Sequence, residues 1–278
     1  MSNIKGWRYY NKAIIPATPP HEIPNMDLLN DKHIWNKDNW DGGSPLLARW
    51  TTDWDCGYET EWWYCIKDKV FDISELKSKR RYEIKKGCKN YNVYVINPLD
   101  YNKELLDVTR KAYLGWPEKY RPNVTEEGFN NEIKTWDRFN VFGAFDVSNG
   151  ELCGYALLED NKSYVEFSVL RTEPIHEKNG INAVIVYEIL EYYKDRFNGD
   201  FYINDGARAI RHETAFQDYL EKYFGFRKAY CKLHVRYKKP LGLIVNMLYP
   251  FRAVISNKTN LGSSVASILK MEEITRSI

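Results

Sequence analysis

Hydrophobic and polar positions settle into regular strand-like and helix-like stretches from residue 91 onward. Residues 91–96 (YNVYVI) are rich in β-branched and aromatic side chains, as a strand requires. Residues 101–114 and 125–139 read as helices, the second with Glu126 and Glu127 in a first turn where carboxylates complement the helix dipole. Strand-like runs follow at 142–147, 152–158 and 164–170, separated by an Asn149-Gly150 turn and a polar turn at 160–162, which predicts two consecutive hairpins. Across 181–197, Ile181, Val184, Ile185, Ile189 and Tyr192 recur at helical spacing, and Val186, Leu190 and Tyr193 widen the stripe. A helix so apolar must be buried on a sheet. A short strand at 201–203, a helix at 212–224 with Phe216, Leu220, Tyr223 and Phe224 on one face, and a long strand or bent strand pair at 226–237 complete the pattern. The order β-α-α-β-β-β-α-β-α-β predicts an α/β protein with a mixed sheet, an antiparallel middle and one crossover helix.

The first 58 residues show no sustained period. They are rich in Trp, Asp, Asn, Pro and Gly, with Pro19-Pro20 and Asp41-Gly42-Gly43, which predicts an irregular, partly ordered arm. Seven of the nine Trp precede residue 64, so the two ends of the chain differ in composition. Residues 61–66 (EWWYCI) read as a short buried strand, and Asp72 as the cap of a basic helix that stops at Gly87. The expected organisation is a Trp-rich extension over 1–90, a domain over 91–238, and a C-terminal helix and tail over 239–278.

With 278 residues, 44% of them hydrophobic and 28% charged, the chain has the balance of a globular protein. A net charge of +2 is too small for the whole surface to recruit nucleic acid or a membrane. The one basic patch is 73–90, where seven Lys and Arg against two Glu give +5. A basic helix of this kind serves either as a solvated face or as a phosphate-binding surface. Five cysteines with no C-x-x-C pair argue for reduced thiols and a cytoplasmic setting rather than a disulfide framework or zinc cluster. The N-terminus lacks a secretory apolar stretch, and the longest apolar run, 241–255, is interrupted and too short to cross ~30 Å of hydrocarbon, so no membrane partner is expected. No Ser-His-Asp order, P-loop or H-E-x-x-H motif occurs.

Two places carry candidate chemistry by their own residues. Glu166 is a carboxylate inside an otherwise apolar strand, where partial burial would raise its pKa towards the range of a general base; the bland reading is a half-exposed Glu paired with a cross-strand Lys or Arg. Asp205, Arg208, Arg211 and His212 follow a strand at the carboxyl edge of the predicted sheet, where α/β ligands usually sit. Arg208 and Arg211 are therefore candidates to bind an anionic acceptor, or else form a solvated turn.

The element order over 91–238, the helix opening at Gly180, and the stretch AFQDYLEKYFGFRKAY with Ala215, Tyr219 and Gly225-Phe226 resemble the GNAT N-acetyltransferase superfamily. The resemblance implies a GNAT-like acyl-CoA N-acyltransferase fold with two splayed strands. It also implies acetyl-CoA or another acyl-CoA as co-substrate, and a small-molecule or peptide amine as acceptor. It places the coenzyme A pyrophosphate on Lys178, Asn179, Gly180, Ile181 and Asn182, although only Gly180 matches the family fingerprint: Glu177 stands where Arg or Gln is usual, and Asn182 where a second small residue is usual. It gives Glu166 the role of base and Tyr219 that of proton donor to the departing thiolate, with Tyr223 one turn further on as competitor. The other reading of Tyr219 is a packed core residue.

A second resemblance concerns SKRRYEIKKGCKNYNVYVI, which is similar in layout to the basic helix and strand of Fem-type aminoacyltransferases, proteins that take an amino acid from charged tRNA. The leading expectation is an acyltransferase moving an acyl group from coenzyme A to an amine. The alternatives are a Fem-like enzyme using charged tRNA, and a non-catalytic binding module of the GNAT fold.

Overall fold

The computed structural model describes residues 3–4, 6–210, 215–255 and 260–277. The chain forms two units, one of residues 1–64, 207–214 and 228–278, the other of residues 65–206 and 215–227.

The first unit begins with strands β1 (Asn3–Ile4), β2 (Trp7–Tyr10) and β3 (Ala13–Pro16), an antiparallel meander, and β4 (Leu47–Thr52), which runs parallel to β3. Between β3 and β4 lie three 3-10 turns capped by Asn25, Asp31 and Asn36, each side chain accepting from the amide two residues on. Trp7, Ile14, Leu28, Leu29, Ile34, Trp40 and Ala48 form a buried cluster. The expected irregular arm is therefore a folded layer. Its elements are too short, three to six residues in β2 to β4 and the 3-10 turns, for any period to register. β5 (Trp62–Lys67) then carries the chain into the second unit, as the sequence predicts.

In the second unit Asp72 caps only a 3-10 turn, and helix α1 (Ser78–Asn90) starts afresh and runs straight through Gly87. Gly87 is not a stop but a buried contact. β6 (Tyr91–Ile96), α2 (Asn102–Leu114) and α3 (Glu126–Ile133) follow, α3 with Thr125 Oγ1 accepting from the Gly128 amide at 3.1 Å. α3 is shorter than the 125–139 expected, because Phe139 already pairs with Glu159 in the sheet. β7 (Phe139–Asp146), β8 (Leu152–Asp160) and β9 (Tyr164–Thr172) form the two predicted hairpins, with Gly150 and Lys162 at positive φ in their turns. A short helix α4 (Pro174–Glu177) leads to α5 (Ile181–Tyr192), then β10 (Tyr202–Ala207) and α6 (Ala215–Phe224). The sheet order in this unit is β10-β9-β8-β7-β6, antiparallel except for the β10/β9 pair. Ile185, Ile189 and Leu220 are buried as expected, while Phe216 is half-buried. Leu105, Phe129, Ile133, Trp136 and Tyr155 form the core between α2, α3 and the sheet.

Residues 228–237 of β11 (Arg227–Tyr237) return to the first unit, where β11 runs antiparallel to β4 from Lys232↔Thr52 to Tyr237↔Leu47. α7 (Leu241–Leu248) and α8 (Asn260–Arg276) end the chain, and α8 packs Ile274 on Trp62, Cys231 and Leu233. Sequence reading separates an extension over 1–90 from a tail over 239–278, yet residues 1–64 and the tail contribute to one unit, while α1 belongs to the other with β6 to β9. No helix among the described residues is long and apolar enough to cross a membrane.

Candidate functional site

β9 and β10 start as a parallel pair and then part. Their register runs Tyr164↔Tyr202, Val165↔Ile203 and Glu166↔Asn204 and goes no further, although β9 continues to Thr172 and β10 to Ala207. Two local features accompany the parting. Leu158 pairs with Phe167 and Leu157 with Val169, so Ser168 is an exposed bulge, and Gly206 has φ +86°, a conformation that side chains rarely adopt. The result is a notch of open backbone in the sheet, with Glu166 and Asn204 at its base.

Glu166 meets Asn204, its neighbour across the strand pair. Asn204 Nδ2 donates to Glu166 Oε2 at 2.7 Å, and Asn204 Oδ1 accepts from the Gly206 amide at 3.0 Å, so a buried Asn fixes the carboxylate and the turn together. Asp205 lies between them in sequence. Burial, and then the neighbouring Glu166 carboxylate, push the Asp205 carboxyl up to about 8, against a lowering hydrogen bond from Gln217. Gln217 is buried on α6, donates to the carbonyls of Asp205 and Gly206 at 3.1 and 3.3 Å, and leaves its Oε1 buried without a partner among the described residues. Glu166 and Asp205 thus lie where the strands part, with Gln217 of α6 bonded to the backbone carbonyls beside them. Sequence reading places Asp205 at the carboxyl edge of the sheet with Arg208, Arg211 and His212 but gives it no role as a base, because a carboxylate between Asn and Gly at a strand end does not show its burial.

The loop expected to cradle pyrophosphate is built differently. Gly180 begins α5 in the left-handed conformation, φ +85°. The Asn179 and Gly180 amides are already bonded, to the carbonyls of His176 at 2.9 Å and Glu177 at 3.1 Å. Lys86 and Asn90 of α1 donate to the carbonyls of Lys178 and Asn179, at 2.8 and 3.3 Å. Ile181 is fully buried, and Asn182 Oδ1 accepts from Thr172 at 2.8 Å. Of the five residues expected here, two therefore have their amides spent inside the turn and two have their carbonyls tied to α1, while Glu177 is exposed beside them.

Tyr219 faces α1. Its ring shares a cleft with Leu76, Arg80, Glu83, Ile84, Ala183, Tyr223 and Phe224, and lies near-parallel to Phe216 at 6.1 Å. Burial, and then Glu83, raise its pKa, with Arg80 opposing. Arg80 itself pairs with Glu83 and covers the Tyr223 ring at 3.4 Å. Arg208 is in the first unit, where its guanidinium donates to the Glu61 carbonyl at 2.7 Å and meets the Glu61 carboxylate at 3.3 Å. Arg211 and His212 lie outside the described residues.

No protein-family model matches the sequence, and no curated protein matches it. Solved structures do. L-PGS from Bacillus licheniformis matches with a TM-score of 0.53 and 13% identity, over 89% of this chain and 84% of its own. The C-terminal domain of a putative lysylphosphatidylglycerol synthetase from Agrobacterium fabrum matches with a TM-score of 0.51 and 12% identity, over 87% and 84%. A GCN5-related N-acetyltransferase from Sphaerobacter thermophilus matches with a TM-score of 0.40 and 11% identity, over 69% and 59%. The chain thus shares its fold with L-PGS and with the C-terminal domain of that putative lysylphosphatidylglycerol synthetase.

Proposed function

We propose that this protein is an acyltransferase that moves an aminoacyl group from a charged tRNA to an amine acceptor bound at the notch between β9 and β10. The observation that carries the acyltransferase reading is the Glu166 carboxylate, held by Asn204 where the two strands part, with the buried Asp205 next along β10 close enough to feel its charge. The acceptor arrives as an ammonium, whose N–H groups suit the two carboxylates and the empty Gln217 Oε1. The pair removes a proton, with Asp205 poised near neutrality for the transfer. The freed nitrogen attacks the ester carbonyl carbon, a C–N bond forms and the C–O bond to the tRNA ribose breaks; of the two protons the ammonium nitrogen loses, one goes to the leaving oxygen and the other leaves through the carboxylates to solvent.

Charged tRNA is favoured over coenzyme A as donor because the 178–182 loop spends its Asn179 and Gly180 amides internally and is braced by α1. α1 in turn exposes Lys79, Lys85 and Lys89, with Lys77 just before it, as a ready phosphate-binding face. The coenzyme A reading keeps one support, the left-handed Gly180 at the opening of an apolar helix.

The test is single-turnover release of labelled amino acid from mixed aminoacyl-tRNAs by the purified full chain in the presence of small amines, beside the same assay with labelled acetyl-CoA. Amine-dependent release that Asp205→Asn and Glu166→Gln abolish is expected. Transfer from acetyl-CoA alone would replace the donor, and release unaffected by both substitutions would remove the site.

A further inference from the structure

Tyr91 at the start of β6, Asp146 at the end of β7, Cys153 near the start of β8 and His176 in α4 meet at one corner of the second unit. One ligand atom each from Asp146, Cys153 and His176 lie within 4.8 Å of one another. Asp146 and His176 are positioned by neighbouring groups. Asp146 Oδ1 accepts from the Ser148 amide at 2.8 Å and its hydroxyl at 2.6 Å, which leaves Oδ2 facing His176 Nδ1 at 4.0 Å. The His176 ring is fixed by the Tyr91 hydroxyl, 2.8 Å from Nδ1, and by an edge-on contact with the Tyr91 ring. Cys153 is buried, and its thiol feels the negative charge of Glu173, Asp146 and Glu151. Lys111, the nearby cation, is already bonded to Glu173 at 2.9 Å. A buried thiol, an imidazole and a carboxylate in a negative corner form a donor set that suits a borderline-soft divalent cation better than calcium or magnesium, which take oxygen donors.

We propose that Asp146, Cys153 and His176 form a zinc site with a water in the fourth position. Ligands around tetrahedral zinc stand roughly 3.3–3.8 Å apart, given bonds of about 2.0–2.3 Å. The three atoms therefore close in by up to about an ångström. On binding, the Cys153 thiol gives its proton to solvent as the Zn–S bond forms. The metal would join the end of β7 and the start of β8 to α4, the element directly before residues 178–182. This site is independent of the acyl-transfer reading.

The test is titration of the chelator-treated full chain with Co²⁺ alone, followed by competition with Zn²⁺. One equivalent is expected to give a thiolate-to-cobalt charge-transfer band with the visible bands of a four-coordinate ion, and Zn²⁺ is expected to abolish both and to raise the melting temperature. Cys153→Ser, close to isosteric, should lose the charge-transfer band, and Asp146→Asn should weaken binding by at least about tenfold. Cys88→Ser, which removes an exposed thiol elsewhere, should leave the spectrum intact. Absence of the band in the unsubstituted chain, or a band that survives Cys153→Ser, overturns the proposal. The readout is spectroscopic, so it stands or falls separately from activity.

Discussion

Gly87 and Gly180 touch where α1 crosses the start of α5: a β carbon on Gly87 would fall 2.7 Å from the Gly180 carbonyl oxygen, and one on Gly180 2.7 Å from the Glu83 carbonyl oxygen. Each glycine is small because the other helix's backbone occupies the space a side chain would take. This reciprocal fit presses the basic helix against the 178–182 loop, in line with the proposed charged-tRNA donor.

Gly87→Ala improves intrinsic helix propensity by up to ~1 kcal/mol, yet meets backbone and the Val184 side chain at 2.7 Å, neither of which can yield. Net destabilisation of about 1–3 kcal/mol is expected in urea unfolding. Gly199→Ala, where a β carbon meets nothing within 4 Å, should change stability by less than about 0.5 kcal/mol.

If Asp205 is the base of the proposed reaction, it should set the pH dependence of the rate. Its carboxyl titrates at about 8, so the rate should rise with pH through that value and level above it. Glu166→Gln removes the second cause of the upward shift but leaves the first, burial, so any residual rate should rise at lower pH without reaching the ordinary carboxylate range. A profile whose midpoint ignores this substitution would show that the two groups are not coupled.

The same shift has a stability consequence of defined sign. A carboxyl raised in the folded state binds its proton more tightly there than in the unfolded chain, so its contribution is fully present below the unfolded value near 4 and is lost as pH rises to about 8. Asp205→Asn cannot ionise. It should therefore unfold at a higher temperature than the parent at pH 8–9, by ~2–4 °C for each kcal/mol recovered, with the gap closing towards pH 4. Activity and stability would then move in opposite directions, as they do where a site is built at the expense of the fold.

Lys77, Lys79, Lys85 and Lys89 are exposed along one basic stretch. If all four contact phosphates of a single-stranded region, the slope of log affinity against log salt should be roughly −3. Replacing Lys79, Lys85 and Lys89 with Glu should remove most tRNA affinity in filter binding while leaving the melting temperature unchanged, since the buried residues of α1 are Ile84 and Gly87.

Tyr219 separates the donors. Its ring lies among α1, α5 and α6 residues, with Glu83 and burial holding the hydroxyl neutral. Under the tRNA reading Tyr219→Phe should keep turnover within about twofold, whereas a thiolate leaving group served by this hydroxyl would lose turnover with little change in KM.

What the sequence determined by itself was local and periodic. The strand at 91–96, both hairpins, the apolar helix from Ile181 and the amphipathic helix ending at Phe224 are all legible, because period and turn chemistry are written in neighbouring residues. Glu166 was legible for the same reason, as a charge out of step with its strand. What only the tertiary structure decided depends on residues far apart in the chain. The Trp-rich start became a folded layer because β4 pairs with β11 nearly two hundred residues later, which no local window reports. Gly87 read as a helix stop because its reason for being glycine, the backbone at Gly180, lies 93 residues away (180 − 87). Asp205 gained its chemistry only when the parting of β9 from β10 put it beside Glu166 and beneath Gln217, because burial and a neighbouring charge, not residue type, set where a carboxyl titrates.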